Sequence, residues 1–335
     1  MCDRVIVFTT GGTIAMRYDP VIGGTVPAVS GPELIAAVPP LANVCPVEVR
    51  EFSNIPSPHM TVQRMHDLAL QVEDALADQG VAGVVITHGT DTLEETAYFL
   101  DLYVSSNKPV CLTAAMRGAA EISPDGPKNI LCAVRTAASL TAQGKGVLVV
   151  MNEKIHAACE VTKTHSANPD TFASLFWGPL GYADADRIIF RRAPLGRQTI
   201  RPALIEESVY LVKLAAGSDD FFFKCLVEKK AKGIVVEGFG RGNVPPAAAA
   251  GIAHAIENGI PVVLTTRCPG GRVLDVYAYE GGAKKLLEAG VILGGEINGQ
   301  KARVKLMLAL GETRDPKQIA AYFDMSGYGV ECSSI

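Results

Sequence analysis

The sequence predicts an α/β protein with a doubly wound parallel sheet in an amino-terminal domain, followed by a smaller α/β carboxyl-terminal domain. Short apolar runs alternate with amphipathic segments through the first half of the chain. Continuous apolar runs of this length are typical of buried parallel strands, and strand–helix alternation implies right-handed crossovers. A second alternation begins near residue 209. Because 335 residues are more than a single hydrophobic core usually supports, we expect two domains.

Apolar runs and helix signals locate the elements of the first half. The predicted strands are Val5–Phe8, Val81–Ile86, Pro109–Thr113 and Gly146–Met151. One helix begins after Thr61, a favoured N-cap, carries apolar residues at helical spacing and stops at Gly80. Two further helices are predicted at Thr92–Ser105 and Lys128–Ala142.

A basic, turn-rich stretch separates the two alternations. We therefore expect an amino-terminal domain over residues 1–190, a linker over 191–208 and a carboxyl-terminal domain over 209–335. The strands predicted in the second domain are Val209–Leu214, Gly233–Val236 and Pro261–Thr265. Helices are predicted from Ser218, from Pro245, and over Gly281–Ala289 and Gln300–Leu310.

Composition and charge argue against several classes of protein. A net charge of −4, a pI near 5.9 and the lack of a basic block interleaved with aromatics argue against a nucleic-acid partner. No apolar run reaches the ~18 residues of a membrane helix, so we expect no membrane partner. Since a core strand starts at Val5 and no signal peptide precedes it, we expect a cytoplasmic protein.

The eight cysteines and six histidines indicate neither a disulfide framework nor a metal site. The cysteines are scattered without a C-x-x-C pair, and Cys111 lies in an apolar run where a buried thiol is the simpler interpretation. No histidine has the spacing of a metal ligand. We expect free thiols, a reducing compartment, no metal and no cofactor.

Two polar segments that directly follow predicted strands carry the functional signal. Thr9–Ala15 reads Thr-Thr-Gly-Gly-Thr-Ile-Ala, and His88–Thr92 reads His-Gly-Thr-Asp-Thr. Open α/β sheets place their ligands at the carboxyl ends of strands. Two threonine hydroxyls and a carboxylate at one crevice indicate nucleophilic chemistry on a small polar substrate.

Residues of both segments also have a plainer structural interpretation. Thr13 is either a nucleophile on a turn that Gly11 and Gly12 keep open, or a turn residue that bonds its own backbone or belongs to a phosphate-binding nest. Thr90 and Asp91 stand where helix caps are favoured. The two roles are compatible, because a helix N-terminus supplies N–H groups that stabilise an oxyanion or hold a carboxylate.

Lys163 and the turn Gly238–Asn243 carry weaker signals. A lone lysine is usually a solvated charge, and Lys163 becomes a base only if folding buries it beside Thr90. The turn is similar to a dinucleotide-binding loop, with Glu257 at a plausible ribose-binding distance. Its glycine spacing differs from G-x-G-x-x-G, and Pro245-Pro246 removes N–H donors. A nucleotide-binding enzyme is therefore a minor alternative.

With these segments together, the chain resembles the bacterial-type L-asparaginase/glutaminase family. The likeness covers nearly the whole chain in the family's order, through Thr10–Ala15, Ser53–Ser57, His88–Thr92, Ala115–Arg117, Ser123–Pro127, Val149–Asn152, Val161–Thr164, Gly178–Gly181 and Gln300–Arg303. The resemblance implies hydrolysis of the side-chain amide of L-asparagine to L-aspartate and ammonia through a covalent acyl-threonine. It also implies a homotetramer in which a neighbouring subunit completes each site.

The resemblance also implies roles for individual residues. Thr13 matches the nucleophile, and Thr90, Asp91 and Lys163 match the set that activates the attack or the water. The residues that match substrate-binding positions are Ser57, Gly89, Thr90, Asp91, Ala115 and Asn243.

Two of these substrate-binding matches agree with elementary chemistry. Ser57 and Asp91 match residues that hold the α-carboxylate and the α-amino group, and a small zwitterion needs one anion-binding and one cation-binding group. Asn243 matches a residue that reaches the site of the neighbouring subunit.

Three departures from the family pattern bear on the substrate and the rate. The tyrosine usual in the loop after the first motif has no direct match; Thr25 stands in the matching segment, and Tyr18 lies earlier in the same loop. Pro58 replaces a polar residue that touches substrate. The acidic residue lent by the neighbour aligns with Ala278, with Glu280 two positions later.

Several alternatives to an L-asparaginase are kept open. The first is the same chemistry with L-glutamine, D-asparagine or another small amide preferred. The second is a component of a tRNA-dependent amidotransferase, although such relatives carry an extra domain ahead of the first motif. The third is a non-catalytic amino-acid-binding relative, against which the retained hydroxyl, lysine and aspartate positions argue.

Overall fold

The chain folds as two compact units. The computed structural model describes residues 3–324, and the units divide between Thr199 and Ile200. We call residues 3–199 the amino-terminal unit and residues 200–324 the carboxyl-terminal unit. The division falls within residues 191–208, which we keep as the proposed linker.

The amino-terminal unit is built around one large mixed sheet. Its strands are β1 (Arg4–Gly11), β2 (Met16–Asp19), β3 (Gly24–Pro27), β4 (Val47–Ile55), β5 (Val81–Thr87), β6 (Val110–Thr113), β7 (Val147–Met151), β8 (Lys154–Ala157), β9 (Thr162–Lys163), β10 (Phe172–Ala173), β11 (Gly181–Ala183) and β12 (Ile188–Phe190). Eight of them form the sheet in the order β12-β11-β8-β7-β6-β5-β1-β4. The remaining four form two small hairpins, β2–β3 and β9–β10.

The predicted parallel sheet is confirmed from β4 through β1, β5 and β6 to β7, all paired in parallel. The other edge is antiparallel and was outside the prediction. A tight turn at Asn152 and Glu153, with φ of 48° and 62°, joins β7 to β8. Such a two-residue turn connects antiparallel strands only, because parallel strands need a long crossover.

Four helices cover this sheet. They are α1 (Gly31–Ala36), α2 (Val62–Ala77), α3 (Leu93–Tyr103) and α4 (Gly126–Ala137). The predicted cap of α2 is confirmed, since the Thr61 side chain accepts a hydrogen bond from the Arg64 N–H at 3.2 Å. Its apolar face packs on the sheet, with Leu68 and Val72 fully buried.

The predicted helix ends at Ser105 and Ala142 are wrong. The helix α3 ends at Tyr103, and α4 ends at Ala137 before a separate 3₁₀ turn, Leu140–Ala142. At the break, Ser139 is extended and its hydroxyl bonds that of Thr141 at 2.7 Å. Because the ψ of Ser139 is 126°, the helix cannot continue through this residue.

The carboxyl-terminal unit contains a four-stranded parallel sheet, in agreement with the predicted alternation. Its strands are β13 (Val209–Lys213), β14 (Gly233–Gly238), β15 (Val262–Thr266) and β16 (Ile292–Leu293), in that order. The helices are α5 (Phe221–Glu228), α6 (Pro246–Glu257), α7 (Ala283–Glu288), α8 (Gly299–Glu312) and α9 (Pro316–Phe323). Residues of β14, β15 and α6 form its buried core.

The described cysteines include two buried in the amino-terminal core, Cys111 and Cys132, which carry free thiols. Burial in apolar surroundings raises the pKa of the Cys111 thiol. Cys2 and Cys332 lie outside the described residues. Within residues 3–324, no helix combines the length and the apolar character needed to cross a bilayer.

Candidate active site

The two polar segments meet because their strands are neighbours. β1 and β5 pair in parallel with Thr9 opposite Thr87, so both strands end at the same edge of the sheet. Gly12 has a φ of +83°, and a Cβ atom there would lie 2.2 Å from the Cα of Gly89. The two turns are therefore in backbone contact, which only glycine permits at this position.

Thr13 opens a 3₁₀ turn, Thr13–Ala15, directly after β1. The backbone closes this turn, since the Ala15 N–H donates to the Gly12 carbonyl at 2.8 Å. The interpretation of Thr13 as a residue that closes the turn through its hydroxyl is therefore unnecessary. The Thr13 side chain is half-buried at the edge where β1 and β5 end.

Folding brings Lys163 to the second polar segment, 72 residues away in sequence. Its Nζ lies 2.8 Å from Thr90 Oγ1 and 2.8 Å from Asp91 Oδ1. The Lys163 side chain is 15% exposed, whereas the Asp91 side chain is 60% exposed. Lys163 is therefore not a solvated surface charge, and folding places it beside Thr90; its role as a base stays a prediction.

Ser57 lies against the same turn and is almost fully buried. The Asp91 N–H donates to Ser57 Oγ at 3.2 Å, and the Thr92 hydroxyl donates to the Ser57 carbonyl at 2.8 Å. Gly89 packs closely against Ser57, since a Cβ atom at Gly89 would lie 2.7 Å from Ser57 Oγ. The capping interpretation is not borne out, because α3 begins after Thr92 without a side-chain cap.

The last two predicted binding residues belong to different units. Ala115 is buried just after β6, and this strand end joins the same edge because the His88 N–H donates to the Thr113 carbonyl at 2.8 Å. Asn243 lies in the carboxyl-terminal unit, where its backbone pairs with that of Phe239. In the described part of the chain the buried Asn243 Oδ1 has no hydrogen-bond partner. The predicted role of Asn243 stays a prediction.

The two candidates for the missing loop tyrosine face each other in one hairpin. Tyr18 on β2 and Thr25 on β3 are directly paired residues. Directly opposite residues of an antiparallel pair project their side chains from the same face. Tyr18 is 61% exposed. The hairpin therefore places both candidates on one face of the loop, a relation that the sequence alone does not reveal.

His88 lies at the candidate site, directly before Gly89, and the sequence did not single it out. It is fully buried, with Nδ1 2.7 Å from the Gly89 carbonyl oxygen and Nε2 3.1 Å from Thr96 Oγ1. Burial lowers the pKa of His88 to about 4, and the hydrogen bond to Gly89 opposes this shift only in part. The available signal was a histidine at the end of a buried strand, directly before the turn that carries Thr90.

The fold and site thus define a two-unit α/β protein. At one edge of its large sheet, a threonine that follows two glycines and a threonine–lysine–aspartate cluster are both found. Two family models match the chain: "Asparaginase, N-terminal" over residues 4–196 and "Glutaminase/Asparaginase C-terminal domain" over residues 208–323. The chain belongs to the asparaginase family.

Individual relatives extend over nearly the same length. The chain is 38% identical to an L-asparaginase of Bacillus licheniformis, covering 94% of this chain and 98% of the relative. It is 37% identical to an L-asparaginase 2 of Escherichia coli, covering 96% of this chain and 92% of the relative. The crystal structure of a probable cytoplasmic L-asparaginase from Campylobacter jejuni superposes with a TM-score of 0.87 at 36% identity, covering 96% of this chain and 99% of that one.

Proposed function

We propose that this protein hydrolyses the side-chain amide of L-asparagine to L-aspartate and ammonia through an acyl-enzyme on Thr13. The observation that carries the proposal is the position of Lys163 Nζ, 2.8 Å from both Thr90 Oγ1 and Asp91 Oδ1, at the strand edge where Thr13 also lies. The membership of the asparaginase family and the L-asparaginases among the relatives support the same reaction.

In the first half-reaction, Thr13 Oγ forms a bond to the amide carbon while the carbonyl electron pair moves onto the oxygen. The hydroxyl proton passes to a base, and the carbon–nitrogen bond then breaks as the nitrogen takes a proton and leaves as ammonia. An amide is a poor electrophile, so an oriented hydroxyl, a base and oxyanion donors are all needed.

In the second half-reaction, a water adds to the ester, and its proton returns to the Thr13 oxygen as that oxygen leaves. The threonine–lysine pair supplies the base for one or both steps. A Lys163 amine that has lost its proton accepts one from Thr90 Oγ1, which in turn accepts one from the attacking hydroxyl or water. The Asp91 carboxylate contacts Lys163 Nζ and orients it.

The same cluster offers complementary groups for an amino-acid zwitterion. Ser57 Oγ accepts a hydrogen bond from the Asp91 N–H, so its own proton is free to be donated to a carboxylate. Asp91 presents a largely exposed carboxylate to an ammonium group. We assign Gly89 and Ala115 to the walls of this binding site, because both lie at the edge where the strands end.

The β2–β3 hairpin contributes a hydroxyl group that assists the attack of Thr13 on the amide. We assign this role to Tyr18, because a phenol reaches farther from the strand than the Thr25 hydroxyl on the same face. Removal of the Tyr18 hydroxyl, as Tyr18→Phe, is expected to lower kcat by about tenfold or more, whereas Thr25→Ala retains it.

We also propose a homotetramer in a reducing compartment, with Asn243 and Glu280 facing a neighbour's site. Exposed apolar side chains in both units support self-association: Leu175, Phe176 and Trp177 in one, and Phe221, Phe222, Tyr277 and Tyr279 in the other. The free thiol of Cys268 is exposed, which supports a reducing environment. Light scattering of the purified protein tests the assembly.

The test of the proposed function is ammonia release from L-asparagine by the wild type and by Thr13→Ala. We expect activity to fall by about 10³-fold or more, since the nucleophile is lost. Thr141→Ala, at an exposed threonine outside the site, is the matched control and keeps wild-type activity. L-glutamine and D-asparagine are assayed in parallel, and a clear preference for either would overturn the assigned substrate.

Two results would replace the proposal by one of its alternatives. Tight amino-acid binding in calorimetry, without turnover by the folded wild type, would indicate a binding protein. Amide hydrolysis that begins only when a partner and charged tRNA are added would indicate a component of an amidotransferase.

A further inference from the structure

The His88 ring connects the active-site turn to helix α3. It is fully buried between the Gly89 carbonyl oxygen, 2.7 Å from Nδ1, and the Thr96 hydroxyl of α3, 3.1 Å from Nε2. The chemistry proposed above makes no use of this ring. A buried polar side chain with two short, specific contacts has a defined orientation.

The partners determine the tautomer of the ring. A carbonyl oxygen only accepts hydrogen bonds, so Nδ1 must carry the proton that is donated to Gly89. Nε2 then accepts from the Thr96 hydroxyl. Desolvation keeps the ring neutral at physiological pH, because it lowers the pKa of His88 to about 4. The histidine is therefore a fixed donor.

The Nδ1–H···O contact fixes the plane of the peptide between Gly89 and Thr90. In a trans peptide the C=O and N–H point in opposite directions, so a carbonyl held against the buried ring turns the Thr90 N–H away from it. That N–H donates to no backbone carbonyl of residues 3–324. Glycine peptides reorient at little cost, which makes an external anchor necessary.

We propose that His88 is a positioning residue that holds the 89–90 peptide so that the Thr90 N–H faces the oxyanion formed when Thr13 adds to the substrate amide. Gly12 lies against the Gly89 backbone, and Thr13 and Thr90 are each one residue from that contact. This contact supports placing the donor near the nucleophile. This inference rests on the proposed function.

Two matched variants of His88 separate positioning from simple core damage. In His88→Asn the side-chain amide N–H takes the place of Nδ1–H and can still donate to Gly89, whereas in His88→Gln the amide nitrogen takes the place of Nε2. Both remove the ring and lose volume. We expect His88→Gln to lower kcat for L-asparagine by about 10²-fold with a KM within about threefold, and His88→Asn to retain kcat within about tenfold of wild type.

Thermal unfolding of both variants controls for stability. A similar Tm with a tenfold or larger difference in kcat supports positioning. Equal losses of kcat in the two variants, or a loss confined to KM, would overturn it. A wild type that hydrolyses no amide would instead overturn the proposed function, so the two failures are distinguishable.

A second measurement does not depend on how the variants fold. The ¹⁵N chemical shifts of the His88 ring in the wild type report which nitrogen carries the proton. A protonated Nδ1 and a bare Nε2 at neutral pH are expected. A proton on Nε2 would remove the donor to Gly89 and refute the inference.

Discussion

Lowering the pH from about 7 to 5.5 should destabilise the amino-terminal unit, because two histidines are buried there in the neutral form. His88 is fully buried, and His156 on β8 is 1% exposed. Burial lowers the pKa of both rings to about 4; for His156 the nearby positive charges of Lys154 and Arg192 lower it further. His156 Nδ1 contacts Ser174 Oγ at 3.0 Å.

The sign and size follow from proton linkage. Unfolding releases each ring into water, where its pKa is near 6.5. Between pH 6.5 and 4 the unfolded state therefore binds more protons than the folded state. The stabilisation is fully present above pH 6.5 and is lost as the pH falls toward 4. Between pH 7 and 5.5 the loss is about 1.2 kcal/mol per histidine, or about 2.5 kcal/mol together. Most carboxylates titrate below this window.

Urea unfolding at both pH values, followed by circular dichroism, measures the difference directly. His156→Gln cannot titrate and should halve the pH dependence whatever its absolute stability. His254→Gln changes an exposed histidine of the other unit and serves as the matched control. A wild-type difference below about 1 kcal/mol, or an unchanged pH dependence in His156→Gln, would refute the reasoning.

Three further substitutions have defined outcomes. Lys163→Met should lower kcat by about 10²-fold or more without unfolding the protein, since the Asp91 carboxylate that loses its partner is 60% exposed to water; circular dichroism and ammonia release check this. Gly12→Ala should destabilise the protein by about 2 kcal/mol or more and abolish activity, because the added methyl would lie 2.2 Å from the Cα of Gly89. Gly23→Ala, at a similar φ of +71° but in open space, should keep activity. Arg197→Ala should cost about 2 kcal/mol in urea unfolding, because this guanidinium bonds three backbone carbonyls, one in the last turn of α3 and two just after the helix. Arg187→Ala, at an exposed arginine, is its control and should leave stability unchanged.

The parallel strands and the principal helices were predictable because their signals are local. Continuous apolar runs identify β5 and β6, and Thr61 marks the start of α2 by its own hydrogen bond. Helix ends were less predictable. Ser139 takes an extended conformation shortly after α4 ends, and nothing in the apolar periodicity reports that change.

The antiparallel strands β8, β11 and β12 were missed for another reason. They are three or four residues long, too short to show a periodic pattern. Their pairing depends on β7 and on the turn at Asn152–Glu153. The positive φ values of that turn could not be predicted from the sequence.

The residues alone indicated which strands end in hydroxyl-bearing turns, and they carried the resemblance that the family matches confirm. These features follow from local chemistry and from motif order. Only folding brings Lys163 to Thr90 and Asp91, puts Tyr18 and Thr25 on one face, and sets the His88 ring against the Gly89 carbonyl. Each of these depends on pairing between strands, on contacts between distant segments or on burial, and these exist only in the folded chain.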